Sequence, residues 1–143
     1  MNIHQISVFL ENRVGQLAEI TDLLAKEHVD IRAISIAETS DYGLVRMIVD
    51  DSRKASDILL AHGDILSMTP VWAVEVPDRP SGLADLLAVL ANNHVDVAYM
   101  YSLFANRDGH AYMVLRISDE AALEKAVREA GIKVVGAAEL GLK

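Results

Sequence analysis

Leu24-Ala25-Lys26-Glu27-His28-Val29-Asp30-Ile31 returns sixty-six positions later as Leu90-Ala91-Asn92-Asn93-His94-Val95-Asp96-Val97. Outward from this stretch the same offset lays Val8 on Val74, Arg13 on Arg79, Leu17-Ala18 on Leu83-Ala84, Gly43 on Gly109 and Met47 on Met113, eleven identities in all without a gap. Glu19/Asp85, Ile20/Leu86 and Ile31/Val97 add conservative pairs. After Met47 the register slips by two, and Gly63 then meets Gly131. Matching hydrophobic phase over such a span marks a duplicated unit, expected over residues 1–69 and 70–143.

Each copy carries the same order of signals. Ile6, Val8 and Leu10 alternate with more polar neighbours, as do residues 71–76, which predicts a strand. A short polar loop follows. Helical spacing comes next at Leu17, Ile20, Leu24 and His28, and again at Leu83, Leu86, Leu90 and His94. A second strand is predicted over 29–36 and 95–104, then a turn at Ser40-Asp41-Tyr42-Gly43 or Asn106-Arg107-Asp108-Gly109, then third strands over 44–50 and 111–117. Second helices are expected to start at Ser52 and Ser118 as N-caps and to stop at Gly63 and Gly131. Short final strands are expected at 65–68 and 133–136, with Pro70 marking the passage between copies. The result is an α+β protein of two tandem ferredoxin-like βαββαβ modules, with antiparallel sheets and both helices on one face. Modules of this size bury little surface alone, so the open face calls for cover by a second module or a second chain.

Composition narrows the function. A net charge of −8 and a pI near 5.0 argue against nucleic acid or an anionic membrane as partner. With no cysteine, disulfides, thiolate chemistry and thiolate zinc sites are excluded. The first residues lack a basic, apolar leader, and no window approaches a transmembrane run, so a cytoplasmic location is expected. No zinc spacing, nucleotide loop or nucleophile elbow occurs, so no metal, no cofactor and no catalytic residue is expected. His28, His62 and His94 read as helix C-terminal residues, where the dipole favours an imidazolium. His4 and His110 fall in strands.

The loop after the first strand holds the most suggestive chemistry. A helix N-terminus offers unpaired N–H groups to a carboxylate. Gly15 sits there in module one, behind Asn12, and Asp78-Arg79-Pro80-Ser81-Gly82 stands there in module two, with Pro80 suited to a helix start. Asp30 and Asp96, at the start of each second strand, can accept a hydrogen bond from an ammonium. The same residues also serve as ordinary turn and cap punctuation. Tyr99 and Tyr101 share one strand face and fit either a buried contact surface or a pocket for an apolar side chain.

Glu11-Asn12-Arg13-Val14-Gly15-Gln16-Leu17 resembles the Asn/Asp-Arg-Pro-Gly-x-Leu loop of ACT domains, and Asp78-Arg79-Pro80-Ser81-Gly82-Leu83 is similar. His28-Val29-Asp30-Ile31 and its copy look like that family's Gly-Val-Asn-Ile. The resemblance covers nearly the whole chain as two tandem domains. It implies a non-catalytic, allosteric regulatory protein that binds a free amino acid or similar effector between the first loop of one domain and the second strand of its neighbour. By position the loop asparagine is Asn12 or Asp78, the loop glycine Gly15 or Ser81, and the strand asparagine Asp30 or Asp96. Val14 departs from the proline of the pattern and Ser81 from its glycine, which makes module one's loop the stronger candidate. The alternative is a regulatory subunit that contacts a metabolic enzyme without a ligand of its own. A homodimer joined through second-strand edges is expected in either case. RNA binding would need exposed aromatics on the first and third strands and basic flanks, whereas residues 44–50 offer no aromatic and the chain is acidic.

Overall fold

In the computed structural model, which describes residues 2–11, 13–38 and 41–143, each repeat follows the predicted order. The first contains β1 (Ile3–Glu11), α1 (Gln16–Lys26), β2 (Ile31–Glu38), β3 (Tyr42–Val49) and α2 (Ser52–His62). Then β4 (Leu66–Pro77) leads into α3 (Gly82–Asn92), β5 (Val97–Arg107), β6 (His110–Ile117), α4 (Glu120–Ala130) and β7 (Val134–Val135). Contacts divide the chain into two units. One is His4–Thr69 with Gly141–Lys143; the other joins Pro70–Leu140 to the first residues up to Ile3.

In the first unit β3 lies between β1 and β2, antiparallel to both, with Val8 opposite Val45 and Ile6 opposite Met47. These side chains meet Ile20 and Leu24 of α1 and Leu59 of α2 in one buried cluster. In the second unit the strand order is β7-β4-β6-β5, and Val74, Leu86, Leu90, Leu115 and Val127 form the matching core. β2 and β5 are therefore edge strands of their sheets. The two-residue hairpin Asp108-Gly109, with φ 49° and 77°, joins β5 to β6, as its Asp-Gly signal predicts. Alternation along β1 is not the simple half-buried kind. Gln5 and Ser7 are buried as well, and Gln5 Nε2 donates to Ser7 Oγ at 3.0 Å.

The stretch that returns at the repeat offset is a helix stop. His28 and His94 take left-handed φ of 59° and 57°. The Val29 N–H donates to Leu24 O at 3.0 Å and the His28 N–H to Ala25 O at 3.0 Å, with Val95 to Leu90 (2.8 Å) and His94 to Ala91 (3.1 Å) in the copy. This paired pattern satisfies the last carbonyls of each helix, and a left-handed residue is what closes it. Histidine thus stands where a glycine would be free of strain.

Several expectations need correction. The second helices are capped by Asp51, which accepts from Lys54 N at 3.1 Å, and by Asp119, which accepts from Ala122 N at 3.0 Å. Ser52 lies inside α2 and Ser118 before the cap. An ionised carboxylate at this position both accepts the N–H and meets the helix dipole, which a hydroxyl cannot do. The strands expected on either side of Pro70 are one strand, β4. Proline's φ suits extended chain wherever its missing N–H is not called upon. Tyr42 and Gly43 belong to β3 rather than to a turn, and Ser40 lies outside the described residues.

Candidate functional site

Module one's loop leaves β1 at Glu11, where the Arg13 N–H turns back to Glu11 O at 2.9 Å. Asn12 lies outside the described residues. Gly15 is the N-cap of α1, with φ 87° and ψ −5°, and no side chain among the described residues caps this helix. A Cβ built on Gly15 meets nothing within 4 Å, so open space faces the backbone here. Arg13, Val14, Gln16 and Leu17 line a cavity of about 440 Å³ together with Leu10, Glu11, Ile36 and Gly43. Gln16 Oε1 is buried, with no hydrogen-bond partner among the described residues. A buried acceptor left unpaired is costly and rare.

Module two's loop has the same sequence pattern but a different shape. Ser81 caps α3 in the right-handed region, φ −89° and ψ −7°, again without a side-chain cap bond. Pro80 lies ahead of that cap rather than at the first helical position. The amides of Asp78, Arg79 and Gly82 donate within the chain, to Gly109 O (2.8 Å), Pro77 O (2.9 Å) and Arg79 O (3.0 Å). Gly82 packs directly on β4, since a Cβ there would sit 1.9 Å from Pro77 O. Leu83 is exposed.

Within a module, loop and strand start stay apart. Asp30 follows the end of α1, and the 11-residue helix spans about 16 Å. Asp30 pairs with Arg32 at 3.2 Å, and its N–H donates to Asp50 Oδ1 at 2.9 Å. Asp96 lies at the corresponding end of α3 and is exposed. Tyr99 and Tyr101 stack at 6.4 Å between centroids, Tyr101 buried and Tyr99 half-buried.

A charge network links module one's loop to the end of α2. Arg13 pairs with Glu19 at 3.2 Å, Glu19 with His62 Nε2 at 2.9 Å, and His62 Nδ1 with Asp64 at 2.8 Å. Asp64, and then Glu19, raise the His62 pKa above its ordinary 6.5. The hydrogen bond from His62, helped by Arg13, lowers that of Glu19 below 4.5. The imidazolium's contribution to stability is complete below 6.5 and is lost as pH rises through the raised folded value. Glu19's contribution is present above 4.5 and is lost as pH falls through the lowered one. Urea midpoints are therefore expected to fall modestly as pH rises above 6.5 and through the raised folded value, and His62→Gln should flatten that limb. Sequence reading finds His62 and Asp64 as neighbours, but Glu19 is 43 residues away and carries no local signal. Among the described residues no group of three or more His, Asp or Glu side chains could hold a metal ion. No helix among them is long and apolar enough to cross a membrane.

Two βαββαβ units, each with a loop opening onto a helix N-terminus, define a class, and the family comparison agrees: residues 1–140 match the family model described as an ACT domain pair. The chain belongs to the ACT domain family. Among solved structures it is similar to protein BT0572 from Bacteroides thetaiotaomicron, with 36% identity over 99% of this chain and 96% of that one and a TM-score of 0.90. The ligand-free regulatory subunit of aspartate kinase from Thermus thermophilus shares the fold at 20% identity, covering 89% and 91% of the two chains, with a TM-score of 0.65. The corresponding subunit from Thermus flavus does so at 18%, covering 90% and 92%, with 0.60. Comparison with curated proteins finds no match.

Proposed function

We propose that this ACT domain pair is a non-catalytic regulatory protein of the cytoplasm that binds a free amino acid, or a similar small effector, at module one's loop. The observation that carries the reading is the contrast between helix starts. Asp51 and Asp119 cap α2 and α4, whereas α1 begins at a left-handed glycine with no side-chain cap and open space before it among the described residues. A carboxylate can take the place of the missing cap. Gln16 lines the adjoining cavity, and its unpaired carbonyl oxygen can accept from the ammonium once the side chain turns toward the ligand. Membership of a family whose structural neighbours include regulatory subunits of aspartate kinase supports the regulatory role.

Asp30 would then come from a second copy. β2 is an edge strand, and Ile36 near its far end lines the loop cavity. Antiparallel pairing of two β2 edges sets the start of one against the end of the other, which brings a second copy's Asp30 toward the ammonium. The two edge strands also carry exposed apolar residues, Ile36 on β2 and Phe104 on β5. These favour a homodimer, or on a second reading a metabolic enzyme as the partner without any effector.

A thermal-shift screen of the common amino acids is the first test, since a ligand specific to the folded state raises Tm. Calorimetry on Gly15→Asp is the second. The new carboxylate would occupy the ligand's place, and affinity is expected to fall at least roughly tenfold, about 1.4 kcal/mol. Gly15→Ala imposes the same left-handed strain without the charge and reports on the fold. Unchanged affinity in Gly15→Asp rejects the loop as the site. A screen in which no amino acid raises Tm favours the ligand-free alternative.

A further inference from the structure

The duplication supplies its own control. In the first unit, Gln16 stands at the start of α1 and His62 at the end of α2, and His62 is held by Glu19 and Asp64 at 2.9 and 2.8 Å. The cavity there is about 230 Å³ and touches α1 only at Gln16. At the matching positions the second unit has Gly82 for Gln16, Ala130 for His62 and Ile132 for Asp64. Two side chains become small or vanish, and the acid becomes apolar. The space opens into a cavity of about 320 Å³ that runs along α3 from Gly82 to Val89 and reaches Ile132 and Lys133 beyond α4. That volume is at the lower end of the range for small-molecule sites.

The lining has two parts. Val76, Leu86, Val89 and Ile132 make an apolar wall, while Arg79, Lys133, Glu75 and Asp85 bring charge to it and His110 stands 3.8 Å from Glu75. None of the two cations is used up. Arg79 meets Asp85 through one contact of 3.4 Å with both side chains largely in water, so a ligand can displace it cheaply. Lys133 is bonded to Glu139 at 2.8 Å, and an ammonium has two further donors. We propose that this cavity of module two is a second binding site, for a free amino acid with a small apolar side chain. Arg79 and Lys133 hold its carboxylate, Glu75 and Asp85 receive its ammonium, and its side chain lies along Leu86 and Val89. This site is separate from the loop of module one and goes beyond the reading above.

The test is nitrogen–proton NMR of the full chain titrated with L-leucine, L-isoleucine, L-valine and L-methionine, with 4-methylpentanoate and isoamylamine as probes bearing one charge each. At least one amino acid is expected to shift the amides of Gly82, Gly131 and Lys133 at millimolar concentration, and the carboxylate alone and the amine alone each more weakly, since each keeps only half of the polar contacts. Ala130 is exposed, so Ala130→Phe leaves the core intact while it occupies the cavity, and its unliganded spectrum reports the fold. It should abolish these shifts, and Arg79→Met with Lys133→Met should weaken them at least tenfold. Gly15→Asp should leave them in place, so the failure of one site is read separately from the failure of the other. Silence of the three amides toward all four amino acids overturns the proposal. So does survival of the shifts in Ala130→Phe, or their loss in Gly15→Asp.

Discussion

Gly82→Ala is expected to lose about 2–3 kcal/mol of stability, overpacking being the cause. The added Cβ would lie 1.9 Å from Pro77 O, 3.1 Å from Pro77 C and 3.2 Å from Val76 Cγ1. Two of these are backbone atoms at the end of β4, so relief requires strand and helix to move apart. Alanine's better helix propensity returns only about 1 kcal/mol. Gly15→Ala is the comparison. It has open space but a φ of 87°, and should cost about 1 kcal/mol of backbone strain. Urea unfolding of the two variants side by side checks the difference. If Gly82→Ala is no worse than Gly15→Ala, the close approach of α3 to β4 is not what requires glycine.

Leu24→Ala and Leu90→Ala should each cost about 2–5 kcal/mol, the range for emptying a buried leucine site. The two residues are 0% and 1% exposed and occupy the same place in the repeat. Each lies at the centre of its unit's core, and each has a carbonyl that accepts the valine amide closing its helix. The side-chain truncation leaves that hydrogen bond formed, so the loss reports cavity and transfer terms alone. Equilibrium denaturation of both variants is the measurement. A loss below about 1 kcal/mol in either would show that its unit collapses onto the space, and that the two cores are not mechanical equivalents.

The fold was legible because hydrophobic phase survives duplication. Val8 and Val74, Ile20 and Leu86, and Leu24 and Leu90 were paired by offset alone, and all six are core residues. Element ends were less legible. Whether Asp51 or Ser52 caps a helix depends on one residue's backbone angles, and both are good candidates by composition. Pro70 reads as a boundary because it lacks an N–H, yet β4 continues through it. His28 was read for its charge, whereas its repetition reflects a left-handed backbone position. Of the candidate site, the loop in module one was visible from Gly15. That the second loop is the weaker candidate was visible from Ser81 in place of glycine, whereas its different shape was not, since Ser81 and Gly15 differ in the sign of φ. Module two's cavity was hidden for another reason: glycine and alanine carry no positive signal, and Gly82 and Ala130 gain meaning only once helix ends that are 48 residues apart line the same space.

The ends of the polypeptide do not stay with the halves to which they are joined. Ile3 groups with Pro70–Leu140, and the Lys143 N–H is bonded to Asp50 O at 2.7 Å. Scissors placed between residues 69 and 70 would therefore produce two fragments that each carry the other's tail. For dissection in the laboratory, the better first piece runs from residue 4 to residue 69 with the closing tripeptide grafted back on through a short linker, and the better second piece keeps the opening strand residues ahead of Pro70.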